Sequence, residues 1–230
     1  MKRFAILLAT LAVSSCVIGG VGIPVIGNGN IAEKTIDATG FEAICVDGAM
    51  DVYYIQSTGE FSVLLRTDEN LLDVYTFEVK GGALRISSEK GKNPVPRSGA
   101  VAVVMAPGVN SVKINGSGDC TMPGMVELPG DFSFTVNGSG DLNAYGVWCK
   151  DFSCRISGSG DIEVESVTAE TASVVINGSG DVDLVCKDAG DVDVRISGSG
   201  DVSLRGNARS LSQKINGSGS IDVRGLTLSE

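Results

Sequence analysis

The chain has 230 residues, a formal net charge of −10, no histidine and 20% charged residues. Apolar residues outnumber charged ones, so the chain is expected to fold, and its high glycine and low aromatic content favours a β-rich structure. The negative charge repels nucleic acid, so we do not expect a nucleic-acid-binding protein.

Residues 1–16 are typical of an export signal. Lys2 and Arg3 precede an uncharged apolar run that extends to Val13, and the segment ends in Ser-Ser-Cys at Cys16. The tetrapeptide that ends at Cys16 resembles a bacterial lipobox, which implies that this cysteine is lipidated and becomes the new N-terminus. An ordinary cleaved signal and an uncleaved membrane anchor are the alternatives, although the glycines and proline after Cys16 disfavour a spanning helix.

We therefore expect a signal peptide at residues 1–15, followed by a lipidated N-terminus and linker at residues 16–37. The linker would let the body of the protein stand off the membrane. The expected location is the bacterial cell envelope at the outer membrane, with the lipid anchor as the membrane contact.

Residues 38–112 carry the repeat of the chain only weakly. Residues 46–52, Val-Asp-Gly-Ala-Met-Asp-Val, look like a degenerate copy of a phrase that recurs downstream. The rest contains short alternating apolar segments separated by turns, and residues 68–73 form the one plausible helical turn. We expect less regular N-terminal coils here, with the cap that a solenoid requires.

One short phrase recurs six times over residues 113–225. The copies are Ile-Asn-Gly-Ser-Gly-Asp or close variants of it, and they begin at residues 114, 136, 156, 176, 196 and 215. The steps between them are 22, 20, 20, 20 and 19 residues, and such a near-constant period marks a solenoid whose coils stack on one another.

One coil runs from Ile176 to Ile196. Residues 177–180 make a turn, residues 181–185 alternate polar and apolar like a half-buried strand, and residues 191–196 alternate again after a second turn. No helix of ten residues fits between the copies, so successive strands lie parallel, about 4.8 Å apart. The predicted fold is all-β: a right-handed parallel β-helix that forms a single domain over residues 38–230.

Stacking predicts two polar columns at the glycine-rich turn. The second position of each copy is asparagine or serine, and stacking these side chains predicts a corner ladder of hydrogen bonds between them. Its members are Asn115, Asn137, Ser157, Asn177, Ser197 and Asn216. The last position predicts a column of carboxylates. Its members are Asp119, Asp141, Asp161, Asp181 and Asp201, with Asp51 as a candidate sixth.

The carboxylates of this column need an explanation, because like charges one coil apart repel by about 1 kcal/mol. We expect each carboxylate to accept backbone N–H bonds from its own glycine-rich turn and to face water. The alternative is a row of divalent cations, most similar to calcium, although the opposite corner lacks ligands. No cofactor or metal is therefore expected, with calcium as the alternative.

Five cysteines follow Cys16, an odd count that leaves at least one thiol free within the chain. They are Cys45, Cys120, Cys149, Cys154 and Cys186. Cys120 and Cys154 occupy columns that other coils fill with aliphatic residues, so both are interpreted as core residues. Their wide spread and the lack of histidine disfavour a metal cluster.

Outward-pointing charged residues leave an enzymatic alternative open, because β-helices also host polysaccharide-cleaving enzymes that use carboxylates with Arg or Lys. The candidates are Glu163, Glu165, Asp183, Asp193, Arg155, Arg195, Arg205 and Arg224. They vary between coils without clustering, so a solvated surface is the preferred interpretation and no catalytic residue is predicted. The aromatic candidates for sugar stacking are Tyr53, Tyr54, Tyr145 and Trp148.

With the turns placed, the chain resembles the bacterial GIN head-domain family, which is named for auto-transporter adhesin heads. The resemblance rests on the Gly-Ser-Gly-Asp copies preceded by Ile-Asn, on residues 41–52, and on residues 68–72 followed by a Gly-Gly hairpin and Leu84-Arg85-Ile86. It covers about residues 38–225. It implies a right-handed β-helix on exported, often lipid-anchored envelope proteins, and it brings no catalytic residues.

The expected function is that of a non-enzymatic envelope lipoprotein whose rigid β-helix serves adhesion, or binding of a polymer or protein partner. The alternatives are a polysaccharide-active β-helix enzyme and a structural spacer of the cell envelope. The ligand and the oligomeric state stay open at this point.

Overall fold

The computed structural model describes residues 22–229, and this part of the chain is built from strands and one short 3-10 helix, Glu69–Leu71. The strands of its N-terminal part are β1 (Ile23–Ile26), β2 (Ile31–Ile36), β3 (Ala43–Gly48), β4 (Asp51–Gln56), β5 (Ser62–Asp68), β6 (Tyr75–Lys80), β7 (Ala83–Ser88), β8 (Lys92–Val95) and β9 (Val101–Ala106). The strands of the repeat region are β10 (Ser111–Gly116), β11 (Cys120–Glu127), β12 (Phe132–Gly138), β13 (Leu142–Trp148), β14 (Asp151–Gly158), β15 (Ile162–Gly178), β16 (Val182–Gly198), β17 (Val202–Gly217) and β18 (Ile221–Leu228).

The repeat region is a β-solenoid, as predicted, with coils of about 20 residues stacked over about six turns. Strands β10, β12, β14 and the second halves of β15, β16 and β17 pair in parallel, each with its equivalent one coil away. The register follows the repeat: Ile156 lies beside Ile176, and Ile176 beside Ile196. The period of the sequence is therefore the period of the structure.

The core lies between the strands on either side of the corner. Alternate residues of each strand point inward and are buried, and the inward set is mostly aliphatic, as in Val164, Val174 and Leu184. Phe132 and Phe134 are also inward, and their rings meet edge to face with centroids 4.6 Å apart. Stacking each aliphatic column on itself removes it from water, which is the main stabilising contribution in such a fold.

The N-terminal part joins the same solenoid through its degenerate repeat copy. Strand β3 pairs in parallel with β10, so that Gly48 lies beside Gly116, and β4 pairs with β11. The copy at residues 46–52 is thereby confirmed as the first corner of the stack. The 3-10 helix lies in the stretch where a helical turn was predicted.

The rest of the N-terminal part differs from the less regular coils that were expected over residues 38–112. Strands β6 and β7 form an antiparallel hairpin around Gly81-Gly82, and β5 is antiparallel to both β2 and β9. The short turn at Gly81-Gly82 explains the hairpin, because a chain that reverses within a few residues pairs with its neighbour in the antiparallel sense. Strand β5 instead pairs with strands that are distant in the sequence.

The prediction of a linker over residues 16–37 is wrong for the part that the structure describes, which begins at residue 22. Strand β1 pairs in parallel with β8, and β2 pairs with β5, so residues 23–36 belong to the folded body. These strands are short and mostly exposed, and glycines and asparagines separate them, so the composition of the segment is that of a linker. The predicted signal peptide and Cys16 lie outside the described residues.

None of the helices in residues 22–229 has the length and apolar character needed to cross a membrane.

Candidate functional site

The glycine corners stack directly on one another, and each corner donates backbone hydrogen bonds to the one below. Ser179 N–H donates to the carbonyl oxygen of Gly158 over 2.9 Å, and equivalent bonds join the other coils. A Cβ atom added to Gly178 would lie 2.0 Å from that same oxygen, and one added to Gly180 would lie 2.0 Å from the Gly160 oxygen. Both glycines of the phrase are therefore required by the close approach of successive backbones.

The aspartate column is a ladder between coils. The Asp161 N–H donates to Asp141 Oδ1 over 2.9 Å, and the Asp181 N–H donates to Asp161 Oδ1 over 2.7 Å. The same bond joins Asp119 to Asp51, Asp141 to Asp119, and Asp201 to Asp181. The expectation that each carboxylate binds its own turn is wrong, because the donor is the backbone of the next coil.

The carboxylates take over the hydrogen bonding where the corner interrupts the regular pairing. Each aspartate carbonyl accepts an N–H from the preceding coil, as in the 3.0 Å bond from Ile162 N–H to the Asp181 oxygen. The N–H of the same aspartate has no strand partner, and the side chain below supplies the acceptor. Asp51 is confirmed as the first member, and Ser220 ends the column by donating both its N–H and its hydroxyl to Asp201.

The geometry of this column does not build a chelating site. In the described part of the chain no three His, Cys, Asp or Glu side chains are grouped so as to hold a metal ion. Each coil contributes one carboxylate to the corner, and one of its two oxygens is already engaged with a backbone N–H. A calcium ion in a protein takes six to eight oxygens.

The corner ladder of asparagine and serine exists over the first coils. Asn137 Nδ2 donates to Asn115 Oδ1 over 2.8 Å, and Asn115 Nδ2 donates to Asp47 Oδ1 over 2.6 Å. Within residues 22–229 no side-chain bond continues the ladder through the later members, which are Ser157, Asn177, Ser197 and Asn216. Serines alternate with asparagines at these later positions.

All five cysteines of the described chain are buried and free. Cys120 and Cys154 lie in the core, as predicted, at 0% and 1% exposure. Burial raises the pKa of the Cys120 thiol to about 12 and that of Cys186 to about 11. A thiol with such a pKa is a poor nucleophile, so these side chains serve packing.

The charged residues considered for catalysis lie on different faces. We call the outward side chains of the strands that lead into the corner the pre-corner face, and those of the strands that leave it the post-corner face. Arg195 lies on the pre-corner face and pairs with Asp193 over 2.9 Å; Arg205 lies on the post-corner face and pairs with Asp183 over 3.3 Å. Arg155 belongs to the first face, and Glu163 and Glu165 belong to the second together with Asp183 and Arg205, so the corner divides the candidates into two groups.

The aromatic candidates are also dispersed. Tyr54 is buried, and its hydroxyl donates to the Ala106 carbonyl over 3.3 Å, so it is not part of a surface patch. Tyr53 is exposed on β4, and Tyr145 and Trp148 are exposed at different positions of β13. Trp148 lines an open groove of about 380 Å³ at the second turn of the coils, beside Lys150 and Glu170.

Residues 40–225 match the model of the family described as "Putative auto-transporter adhesin, head GIN domain". The chain belongs to this family. The match covers the first corner, the N-terminal hairpins and the repeat coils, so the resemblance carried by the Gly-Ser-Gly-Asp copies is confirmed. None of the curated proteins matches the sequence.

The GIN head domain also has the fold of several solved structures. A structure titled "putative adhesin" from Bacteroides fragilis has a TM-score of 0.72 at 17% identity and covers 86% of this chain and 99% of its own. One with the same title from Parabacteroides merdae has a TM-score of 0.71 at 20% identity, covering 87% and 99%. A structure titled "putative lipid binding protein" from Parabacteroides distasonis has a TM-score of 0.70 at 21% identity, covering 86% and 98%. At these identities the likeness shows the fold.

Sequence reasoning missed one buried carboxylate of this GIN domain. Asp68 is 0% exposed and accepts N–H bonds from Gly29 over 2.5 Å, Arg97 over 2.8 Å and Ser98 over 3.2 Å. Burial alone would raise the pKa of Asp68, but these donors and the Ser98 hydroxyl together lower it. The donors lie about 30 and 40 residues away in the sequence, so no local pattern announces them.

Proposed function

We propose that this protein is an exported, lipid-anchored adhesin of the bacterial cell envelope that binds a polymer or protein partner without chemical turnover. The observation that carries the proposal is the match of residues 40–225 to the adhesin head family. The geometry supports a binding role, because the outward side chains recur in register from coil to coil and form long, rigid faces.

The anchor proposed at Cys16 places the domain close to the membrane. The first described strand begins at Ile23, so at most seven peptide units separate it from the lipidated residue. Fully extended, they reach about 25 Å. The start of the folded domain therefore lies within that distance of the anchor.

The anchor is tested by fractionating cells that express the wild-type chain or Cys16→Ala, with and without globomycin. We expect wild type in the membrane fraction, the variant released from it, and a precursor that accumulates under globomycin. Cys45→Ala is the matched control, because it removes a thiol from the folded body and is expected to fractionate as wild type. A Cys16→Ala protein that stays membrane-bound would end the lipoprotein proposal.

The adhesive role is tested with purified protein on a glycan array and on intact cells, while the medium is assayed for released oligosaccharides. We expect saturable binding and no release. Release of oligosaccharides would instead identify a polysaccharide-active enzyme. If the purified protein binds nothing and a deletion strain loses envelope integrity, the protein is a structural spacer.

A further inference from the structure

The pre-corner face carries a column of cations on a protein that is otherwise acidic. The parallel register places one outward position of each coil in line, and five of the residues in that line are basic. They are Arg85, Lys113, Arg155, Arg195 and Lys214. Cys45, Thr135 and Val175 occupy the intervening coils, so from Arg85 to Arg195 a cation occurs at every second coil. We call this line the basic stripe.

The charges of the basic stripe are accessible. All five side chains are exposed. Lys113, Arg155 and Lys214 take part in none of the ion pairs found among residues 22–229. Arg85 pairs with Asp47 over 3.5 Å and Arg195 with Asp193 over 2.9 Å, both in partly exposed pairs. Exposed ion pairs of this kind contribute little free energy, so Arg195 remains open to an external anion.

Hydrogen-bonding columns flank the stripe on both sides. On one side lie the serines of successive coils, Ser111, Ser133, Ser153 and Ser173, of which Ser133 donates to Ser111 over 3.0 Å. On the other side lies the corner ladder, including Asn137 and Asn177. Hydroxyl and amide groups of this kind exchange hydrogen bonds with the hydroxyls of sugars.

The corner beside the basic stripe and the face beyond it carry carboxylates that repel an anionic ligand. The aspartate column lines the corner, and Glu163, Glu165 and Asp183 lie on the post-corner face beyond it. A polyanion is therefore attracted to one line of the surface and rejected by the adjacent corner and face, which fixes both its position and its direction along the solenoid.

The spacing of the charges selects the polymer. Two coils advance about 9.6 Å along the axis, so the stripe has far fewer charges per length than the phosphates of a nucleic acid. The outward positions of its strands also hold no aromatic residue that would stack on bases, because Phe132, Phe134 and Phe152 point into the core. An extended sugar residue advances about as far as one coil, so a polysaccharide with one acidic group per disaccharide matches a cation at every second coil.

We propose that the basic stripe of this domain is the binding site for a linear acidic polysaccharide that lies along the solenoid axis. The carboxylate or sulfate groups of the polymer pair with Lys113, Arg155 and Arg195, and the flanking serine and asparagine columns bind its hydroxyls. This inference rests on the proposed adhesive function and names the face and the partner class that serve it.

The test compares binding of three polymers and one oligonucleotide to the full chain: hyaluronan, polygalacturonate, neutral dextran, and a single-stranded oligothymidylate. The stripe variant is Lys113→Gln/Arg155→Gln/Arg195→Gln. The matched control is Lys187→Gln/Arg205→Gln/Arg224→Gln, which removes the same charge from exposed side chains elsewhere. Thermal unfolding of both variants checks that the fold is kept.

We expect hyaluronan to bind wild type and the control equally and the stripe variant about tenfold more weakly. Binding should also weaken between about 0.05 M and 0.3 M salt, while dextran does not bind. The inference would be overturned if both variants lost hyaluronan binding equally, if dextran bound as well as hyaluronan, or if the oligonucleotide bound in place of the acidic polymers. If the stripe variant still adheres to cells as wild type does, this inference fails and the adhesive function stands; if wild type does not adhere, the proposed function itself fails.

Discussion

Gly178 touches Gly158, the equivalent glycine one coil below, so closely that no side chain fits between them. The absent Cβ would lie 2.0 Å from the Gly158 oxygen, and the φ of Gly178 is +150°, a conformation that other residues rarely adopt. Met50 occupies the place of the second glycine in the first corner, where Gly118 stacks on its carbonyl but no glycine corner lies on its other side. The requirement for glycine thus comes from the stack and not from the turn alone.

We predict that Gly178→Ala destabilises the domain by about 3 kcal/mol or more, because it combines an unfavourable φ with a backbone clash. Gly130→Ala is the control, since its Cβ would meet nothing within 4 Å and its φ is not positive. Urea unfolding of both variants measures the difference. Similar midpoints for the two would show that the corners relax without cost.

A carboxylate of the corner is needed as a hydrogen-bond acceptor more than as a charge. Asp161→Asn keeps an acceptor oxygen for the Asp181 N–H and relieves repulsion from Asp141, so we predict a stability equal to or above wild type. Asp161→Ala leaves that N–H without its partner and should cost about 1 kcal/mol. Chemical denaturation separates the two, and an Asn variant as unstable as the Ala variant would mean that the charge itself is required.

At the scale of the element, Asp68 holds the N-terminal strands to the solenoid. Its carboxylate ends β5 and collects N–H donors from the loop after β1 and from the loop after β8. A side chain at Gly27 would collide with it, at 2.2 Å from Oδ2, so the segment after β1 is fitted around this group. Strands β1 and β2 are short and mostly exposed, and this network compensates for the small apolar area that they bury.

The lowered pKa of Asp68 predicts an acid-sensitive N-terminal region. A group whose pKa is lower in the folded state stabilises the fold above its unfolded pKa of about 4 and loses that contribution as the pH falls through the folded value. The protection of residues 22–36 against hydrogen exchange, corrected for the intrinsic pH dependence of amide exchange, should therefore fall below about pH 4 before that of the coils.

Asp68→Asn should accelerate the same exchange at neutral pH and lower the unfolding midpoint by about 5 °C, because an amide places a donor against backbone donors. Asp73→Asn is the control, since Asp73 pairs with Lys34 at an almost fully exposed site. Uniform exchange across the domain in acid would contradict the assignment.

At the scale of the whole molecule, each coil is stabilised by the coil that covers it. Ile196 and Ile215 occupy the same inward column in neighbouring coils, yet Ile196 is 1% exposed and Ile215 is 44% exposed. No strand of the described chain covers the second half of β17. The end of the stack is therefore the region where burial is incomplete.

The difference in burial between Ile196 and Ile215 predicts that the same substitution costs more stability at the first position than at the second. Ile196→Ala should cost about 3 kcal/mol, as expected for a buried Ile, and Ile215→Ala less than about 1 kcal/mol. Denaturant unfolding of both variants provides the comparison. Equal costs would show that the final coil is covered in solution by a contact outside residues 22–229.

The whole column of aspartates is also predicted to need no metal. Because backbone N–H groups already engage one oxygen of each carboxylate, removal of divalent cations with EDTA should leave the melting temperature nearly unchanged. A decrease of more than about 10 °C that calcium restores would revive the row of cations considered from the sequence.

The repeat along the chain was enough to predict the solenoid, its coil length, its glycine corners and its inward columns. This was possible because each coil contacts only its neighbours, so a spacing of 20 residues along the chain becomes a fixed register in space. The degenerate copy at residues 46–52 was found for the same reason. The basic stripe was open to the same reasoning, since Lys113, Arg155 and Arg195 recur two coils apart at one outward position.

The folded structure was needed for the features that depend on distant or inter-coil partners. It showed that an aspartate accepts from the next coil, that the asparagine ladder stops where serines alternate, and that residues 23–36 are strands of the body. It also brought Asp68 to donors from two separate loops. Hydrogen-bond partners of this kind are chosen by three-dimensional proximity, which a pattern of residue types along the chain specifies only where the structure itself repeats.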